Sequence, residues 1–245
     1  MWYNVENEEG RHMFDLRSIV IGMVLMLKKY TCIDIAIYAE TTDEDYKNGI
    51  LVLPLIGFAV GFVAFIISFL KNFYDGFFVS ALILTYYVII TKSSNMKDAY
   101  RTLNYYIKPK TQSEQLSGLI GITLINLMYF SLFRIVPSTS LIVMSVAGYS
   151  SPAILSSVIK RSKDNTSIMK HCGKAHVIVA FSISFLIAAL FNYKLVISLS
   201  LTYILLGMVV SILDDKVKLL PGSIEGTFIE VTQVLFLIIT YLLKI

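Results

Sequence analysis

From about residue 49 onward the chain alternates apolar blocks close to twenty residues long with polar intervals of two distinct lengths. Twenty apolar residues in a helix reach across the ~30 Å hydrocarbon layer of a bilayer. The pattern therefore predicts seven spans, at 49–70, 73–91, 116–136, 138–159, 175–192, 195–213 and 226–243. The intervals 92–115, 160–174 and 214–225 are long and polar, and those between them are short, so the long ones all fall on one side. Ahead of the first span, residues 18–27 are apolar for only ten positions before Lys28-Lys29, too few to cross. They predict a short interfacial helix, amphipathic or re-entrant. A polar connector, 31–48, follows and carries the acidic knot Asp43-Glu44-Asp45. The expected fold is an all-α polytopic membrane bundle in two parts: an N-terminal segment, 1–48, and a transmembrane domain, 49–245.

Composition agrees. The chain is 56% hydrophobic and 16% charged, against ~25% charged in ordinary soluble domains. Cys32 and Cys172 are too few and too far apart for a disulfide framework. The acidic start, MWYNVENEEG, does not read as a cleavable targeting segment. The net charge of +4 follows membrane topology and gives no reason to expect nucleic acid.

Charge placement sets orientation, because cytosolic loops collect Lys and Arg. With the N-terminus inside, seventeen of the 21 basic residues fall on the cytosolic side, leaving Lys71, Arg134, Lys194 and Lys244 outside. The acids follow the same asymmetry, so polar chemistry is expected at the cytosolic face of a cell membrane. The sequon at Asn165 falls on that face as well, which disfavours glycosylation.

The interval 92–115, with Lys92, Lys97, Arg101, Lys108 and Lys110 against only Asp98 and Glu114, is either a tether or one wall of a membrane-surface site. Glu230 lies about one turn inside the last predicted span, with Gln233 a turn further on the same face. A carboxylate at membrane depth needs a metal, a cation or a hydrogen-bonding neighbour; snorkelling or helix pairing would equally account for it. Asp98, Glu225 and Glu230 are candidate oxygen ligands for a divalent cation, whereas Asp214-Asp215 read as a solvated loop. His171, Cys172 and His176 match no zinc spacing and read as structural. Gly57 and Gly61 form a small-xxx-small pair, which packs helices within one chain or between copies; a homo-oligomer stays open.

The order of these features resembles the cobalamin synthase family, membrane enzymes also called adenosylcobinamide-GDP ribazoletransferases. In that family a short apolar segment and an acidic connector lead into a first span G-x-x-x-[FL]-P-x-x-G-x-x-x-G; here Gly49, Pro54, Gly57 and Gly61 keep that spacing. The family closes with G-D-x-x-G-A and an intramembrane Glu followed by a second; here Gly222-Ser223-Ile224-Glu225-Gly226-Thr227 leads to Glu230 and Gln233. The signature H-L-D-G-L-A-D-x-x-D-G corresponds to 92–102, where Asp98 alone remains. K-D-S-R-x-G falls near 110–115, and the Gly-Arg of the fourth span is Gly148-Tyr149.

The resemblance implies a magnesium-dependent transferase that joins adenosylcobinamide-GDP to α-ribazole or its phosphate and releases GMP. Its partners would be the bilayer and these corrinoid and ribazole substrates. It further implies Asp98 and Glu230 as catalytic acids, Lys92, Lys97, Arg101, Gly222 and Gly226 as phosphate-site residues, and Asp98, Glu225 and Glu230 toward Mg2+. The thinned aspartate set leaves a second reading open, a non-catalytic relative that binds a corrinoid or a partner subunit. A transporter is the weakest alternative, because the acids crowd one face and no internal repeat is evident.

Overall fold

The computed structural model describes residues 16–106, 116–159, 168–216 and 221–245. Lys108, Lys110, Glu114, the 160–167 stretch with its sequon, and Lys218 lie outside the described residues. All the regular elements described are helical: α1 (Leu16–Tyr30), α2 (Asp43–Ser68), α3 (Gly76–Ile90), α4 (Ser94–Tyr106), α5 (Leu116–Ile135), α6 (Ser138–Leu155), α7 (Lys174–Phe191), α8 (Tyr193–Lys216) and α9 (Ile224–Leu242), with 3-10 turns at Phe69–Asn72 and Ile168–His171. Among the described residues, six helices (α2, α5, α6, α7, α8 and α9) are long and apolar enough to cross a membrane. Helices α3 and α4 meet the same length and hydropathy requirement only together, as a pair bent by 83° at the break between them. The chain is thus a polytopic helical bundle, as the hydropathy predicts.

The main departures from the sequence reading have local reasons; in addition α8 runs on to Lys216, so Asp214, expected in a solvated loop, is buried on a helix. Helix α2 starts six residues earlier than expected. Thr42 caps it, its backbone N–H and hydroxyl donating to Asp45 Oδ2 at 2.8 and 3.0 Å. The acidic knot is therefore the first turn of α2, where carboxylates favour the helix dipole. Helix α1 does more than lie at an interface. Asn48 Nδ2 donates to Ser18 Oγ at 2.9 Å, and Met26 and Tyr30 are buried against the bundle while Leu16 and Val20 stay exposed. The interval after α3, expected as a loop, is largely helix α4.

The corner between α3 and α4 is a Schellman-type ending without glycine. Ser93 N–H donates to the Val88 carbonyl and Lys92 N–H to that of Ile89, both at 3.0 Å. Lys92 and Ser93 take φ of 49° and 53°, a left-handed pair of the kind glycine usually supplies. With α3 only 15 residues long, or ~22 Å, this corner brings α4 down against the bundle. Amphipathicity then seats it, with Asn95, Met96, Ala99 and Thr102 on its buried face.

At the centre stands α6, buried along almost its whole length. Its small residues let neighbours approach closely. The Gly57/Gly61 face of α2 is filled by α6: a Cβ on Gly57 would lie 2.7 Å from the Ser145 carbonyl oxygen, and one on Gly61 2.8 Å from Leu141 O. That pair packs helices within the chain and is not free to join copies.

Contacts between elements sort the helix ends. At the Lys-rich end, Cys32 N–H bonds the Ile90 carbonyl at 2.6 Å, and His176 Nε2 lies 3.0 Å from that of Lys47. Gly173 N–H donates to His176 Nδ1 at 3.0 Å, so Nε2 carries the proton and is the donor to Lys47. His171 stacks on Tyr46 and lies 3.8 Å from Asp43; burial pushes its imidazole pKa down. These histidines fasten the start of α2 to α7, the structural role expected of them. At the opposite end Lys71 donates to the Phe133 carbonyl at 2.5 Å, and Arg134 lies over the Phe77 ring at 3.8 Å.

Candidate active site

The seam between α4 and the start of α9 gathers most of the polar residues picked out above. Gly226 makes the approach possible: a Cβ there would meet Asp98 Cβ at 2.6 Å and Asn95 Cα at 2.9 Å. A side chain at 226 would push the two helices apart. Beside this crossing the Thr102 and Ser223 hydroxyls share a hydrogen bond at 2.9 Å. Ser223 stands where the family pattern has aspartate, so that position still faces α4.

Asp98 is partly buried in the seam and carries one weak contact, Arg101 Nη1 at 3.8 Å. Burial, with the Glu225 charge adding to it, pushes its carboxyl up to about 6. Arg101 itself is largely exposed.

Glu225 is buried at the first turn of α9 and ties three segments together. Lys29 Nζ donates to its Oε2 at 2.8 Å, Tyr30 OH donates to the same oxygen at 3.1 Å, and the Ile168 backbone N–H donates to Oε1. One carboxylate thus fastens α1 and the 3-10 turn before α7 to α9. The Tyr30 phenol is held well above its usual range by burial, with Glu225 adding to it.

Glu230 lies deeper and is fully buried. Tyr87 OH is 3.0 Å from its Oε1 and 2.5 Å from Gln233 Oε1. Tyr129 OH is 2.7 Å from Glu230 Oε2 and 2.8 Å from Gln233 Oε1. Two phenolic protons therefore face four oxygen contacts, while Gln233 Nε2 has no partner. The proton count closes when the Gln233 amide is turned over. Each phenol then donates to Glu230 and accepts from Nε2. Gly148 makes room for this side chain, since a Cβ there would crowd Gln233 Cδ at 2.8 Å. Its neighbour Tyr149 is buried, its OH 3.3 Å from the Tyr30 carbonyl. Asn95 is also buried, its side-chain amide beside the Tyr87 and Tyr149 hydroxyls.

Asp98, Glu225, Gly226 and Glu230 thus share one region, with Gly222 in the turn leading to it. Lys97, in contrast, lines a separate groove with Val88, Tyr100, Ile122 and Asn126. Lys92 sits exposed on the α3–α4 corner. Among the described residues, no group of three or more His, Cys, Asp or Glu side chains is arranged to hold a metal ion. The acids are strung along the seam rather than gathered round one point.

The sequence reading missed Lys29, Tyr30, Asn95, Tyr87, Tyr129 and Tyr149. The tyrosines did leave a signal, since Tyr87, Tyr129 and Tyr149 sit inside apolar runs where a buried hydroxyl needs a partner.

Comparison with known proteins points to one family. The family profile described as Cobalamin-5-phosphate synthase matches residues 22–95, from α1 through the α3–α4 corner. Two proteins named adenosylcobinamide-GDP ribazoletransferase align along nearly their whole length. That of Alkaliphilus oremlandii (strain OhILAs) is 20% identical over 237 residues, covering 91% of this chain and 98% of its own. That of Acetivibrio thermocellus is 22% identical over 242 residues, again covering 91% and 98%. Along nearly its whole length the chain is similar to cobalamin synthases. No solved structure matches significantly. Cobalamin synthase patterns that lie far apart in sequence meet in this fold: the first-span glycines seat α2 on α6, Gly148 of α6 accommodates Gln233 of α9, and Ser223 and Gly226 receive α4.

Proposed function

We propose that the chain is a cobalamin synthase-like transferase that joins adenosylcobinamide-GDP to α-ribazole, or its phosphate, and releases GMP at the cytosolic face of a cell membrane. A ribazole hydroxyl forms a new O–P bond at the diphosphate, the P–O–P bridge to GMP breaks, and the hydroxyl proton leaves. The observation that carries this reading is the α4–α9 seam, where Asp98, Ser223 and Gly226 converge although two stand 120 or more residues from the third in sequence.

In this reading Asp98 is the acid that faces substrate, its raised pKa suiting a group that accepts a proton near neutrality. Arg101 and Lys92 offer cationic charge for phosphate, and Gly222 and Gly226 keep the mouth of α9 open to it. Glu230 acts from below, through the tyrosines that shape the floor.

A magnesium ion fits these residues in one way. Glu225 already receives three protein donors and Glu230 two, so neither has the open oxygen that a tight cage of three acids requires. Mg2+ commonly rests on one or two carboxylates plus substrate phosphates, and Asp98 would provide one such carboxylate, acting then as a ligand in place of a proton acceptor. Bound there, the ion would neutralise diphosphate charge.

The test is turnover of purified protein with adenosylcobinamide-GDP, α-ribazole and magnesium, beside Asp98→Asn. Cobamide product that needs the metal and is lost in the variant supports the reading. The engagement of Glu225 and Glu230 by protein donors favours a second reading, a non-catalytic corrinoid-binding relative. Corrinoid binding without product from folded wild-type protein would establish that one instead.

A further inference from the structure

We propose that the groove between α3 and α5, capped by α4, is a binding site for an anionic phospholipid with a hydroxyl-bearing headgroup. The cavity measures about 330 Å3 and is lined by Val88, Ser93, Met96, Lys97, Tyr100, Ile122 and Asn126. Ile122 belongs to a helix long and apolar enough to cross the membrane and Val88 to the apolar α3 beside it, while Met96, Lys97 and Tyr100 belong to the helix that lies across their polar ends. The groove therefore straddles the boundary between hydrocarbon and headgroups, the depth at which a lipid presents both its phosphate and its upper chain.

Charge and polarity select the occupant. Among the described residues no acid lines the cavity, and Lys97 makes no ion pair. A lysine at the headgroup level of an otherwise apolar groove attracts a lipid phosphate. Asn126 adds a second requirement. Its Nδ2 donates to the Ile122 carbonyl at 3.1 Å, but its Oδ1 is buried and unpartnered. An acyl chain would leave that acceptor unsatisfied, whereas a headgroup hydroxyl would donate to it. Apolar wall, unpaired cation and orphaned acceptor together describe a phosphatidylglycerol-like molecule rather than a zwitterionic lipid. The groove is separate from the α4–α9 seam, so the inference does not depend on the reaction proposed there.

The test is native mass spectrometry of the full chain released from detergent micelles, titrated with phosphatidylglycerol or phosphatidylcholine of the same chain length. The expected result is retention of phosphatidylglycerol about fivefold over phosphatidylcholine, the scale of one basic residue at an anionic surface. Lys97→Gln should abolish the preference and Lys97→Arg should keep it. Met96→Trp, which fills the groove, should reduce retention of both lipids. Equal retention by the wild type overturns the proposal. So does a preference that persists unchanged in Lys97→Gln.

Discussion

Asp98 and Glu230 are both carboxylates, and their surroundings give them different work. Asp98 sits at a partly open seam with one distant arginine, while Glu230 is sealed beneath two phenols. With its carboxyl pushed up to about 6 by burial and by Glu225, Asp98 is mostly ionised at neutral pH and takes up a proton as the pH falls through 6. Turnover should accordingly decline below about pH 6 in the wild type. Glu225→Gln removes a charge that raises this pKa, so the acid limb should move to lower pH. Asp98→Asn should lower kcat by about 10²–10³-fold, the size of one preorganised electrostatic group, with the acid limb gone. A pH–rate profile of the three proteins reads all of this at once. For Glu230 the expectation differs. Tyr87→Phe or Tyr129→Phe removes two interhelical hydrogen bonds, one to Glu230 and one from Gln233, worth about 0.6 kcal/mol each on average within membranes, and should leave the fold intact. Glu230→Leu strands both phenols and Gln233, and a thermal-shift assay in detergent should show a larger loss than either tyrosine variant.

At the scale of elements, the site is made by one helix crossing and one tie. Gly226→Ala gains up to about 1 kcal/mol of helix propensity but places a methyl 2.6 Å from Asp98 Cβ. Overpacking of that kind costs about 1–3 kcal/mol, so the net effect should be a lower melting temperature and a larger fall in turnover. Gly226→Val, with a smaller propensity gain and a larger clash, should be worse in both. The spans themselves were legible, because twenty apolar residues have one inexpensive arrangement in a bilayer. The α3–α4 corner was not: its left-handed residues are Lys92 and Ser93, and neither carries the glycine signal that marks such a turn. Helix α4 was hidden for a related reason, since its buried face is mostly small or polar and reads as loop. The Lys29–Glu225 tie joins residues 196 apart, and nothing local in either stretch points to the other. Glu230 stood out because a buried acid in an apolar run needs a partner, yet the identity of that partner rests on tyrosines that also read as ordinary membrane aromatics.

At the scale of the whole molecule, the bundle has two unlike ends, and cytosolic chemistry requires that the end carrying the α4–α9 seam face inward. Lys29, Asp98, Glu225 and the start of α2 lie at one end, and Lys71 and Arg134 at the other. Seventeen of the 21 basic residues fall on the first side by sequence, a bias that sets orientation when loops are short. The fold supplies a native reporter for this. Cys32 is exposed just beyond α1, its backbone N–H bonded to the Ile90 carbonyl at the Lys-rich end, whereas Cys172 is only partly accessible. In a Cys172→Ser background, a membrane-impermeant maleimide should label Cys32 in inside-out vesicles and leave it unlabelled in right-side-out vesicles. A cysteine placed at Lys194, in the turn between α7 and α8, should show the opposite pattern. Labelling of Cys32 from outside would place the α4–α9 seam on the external face. A cytosolic supply of adenosylcobinamide-GDP would then have no route to the site, and the transferase reading would fall with the topology.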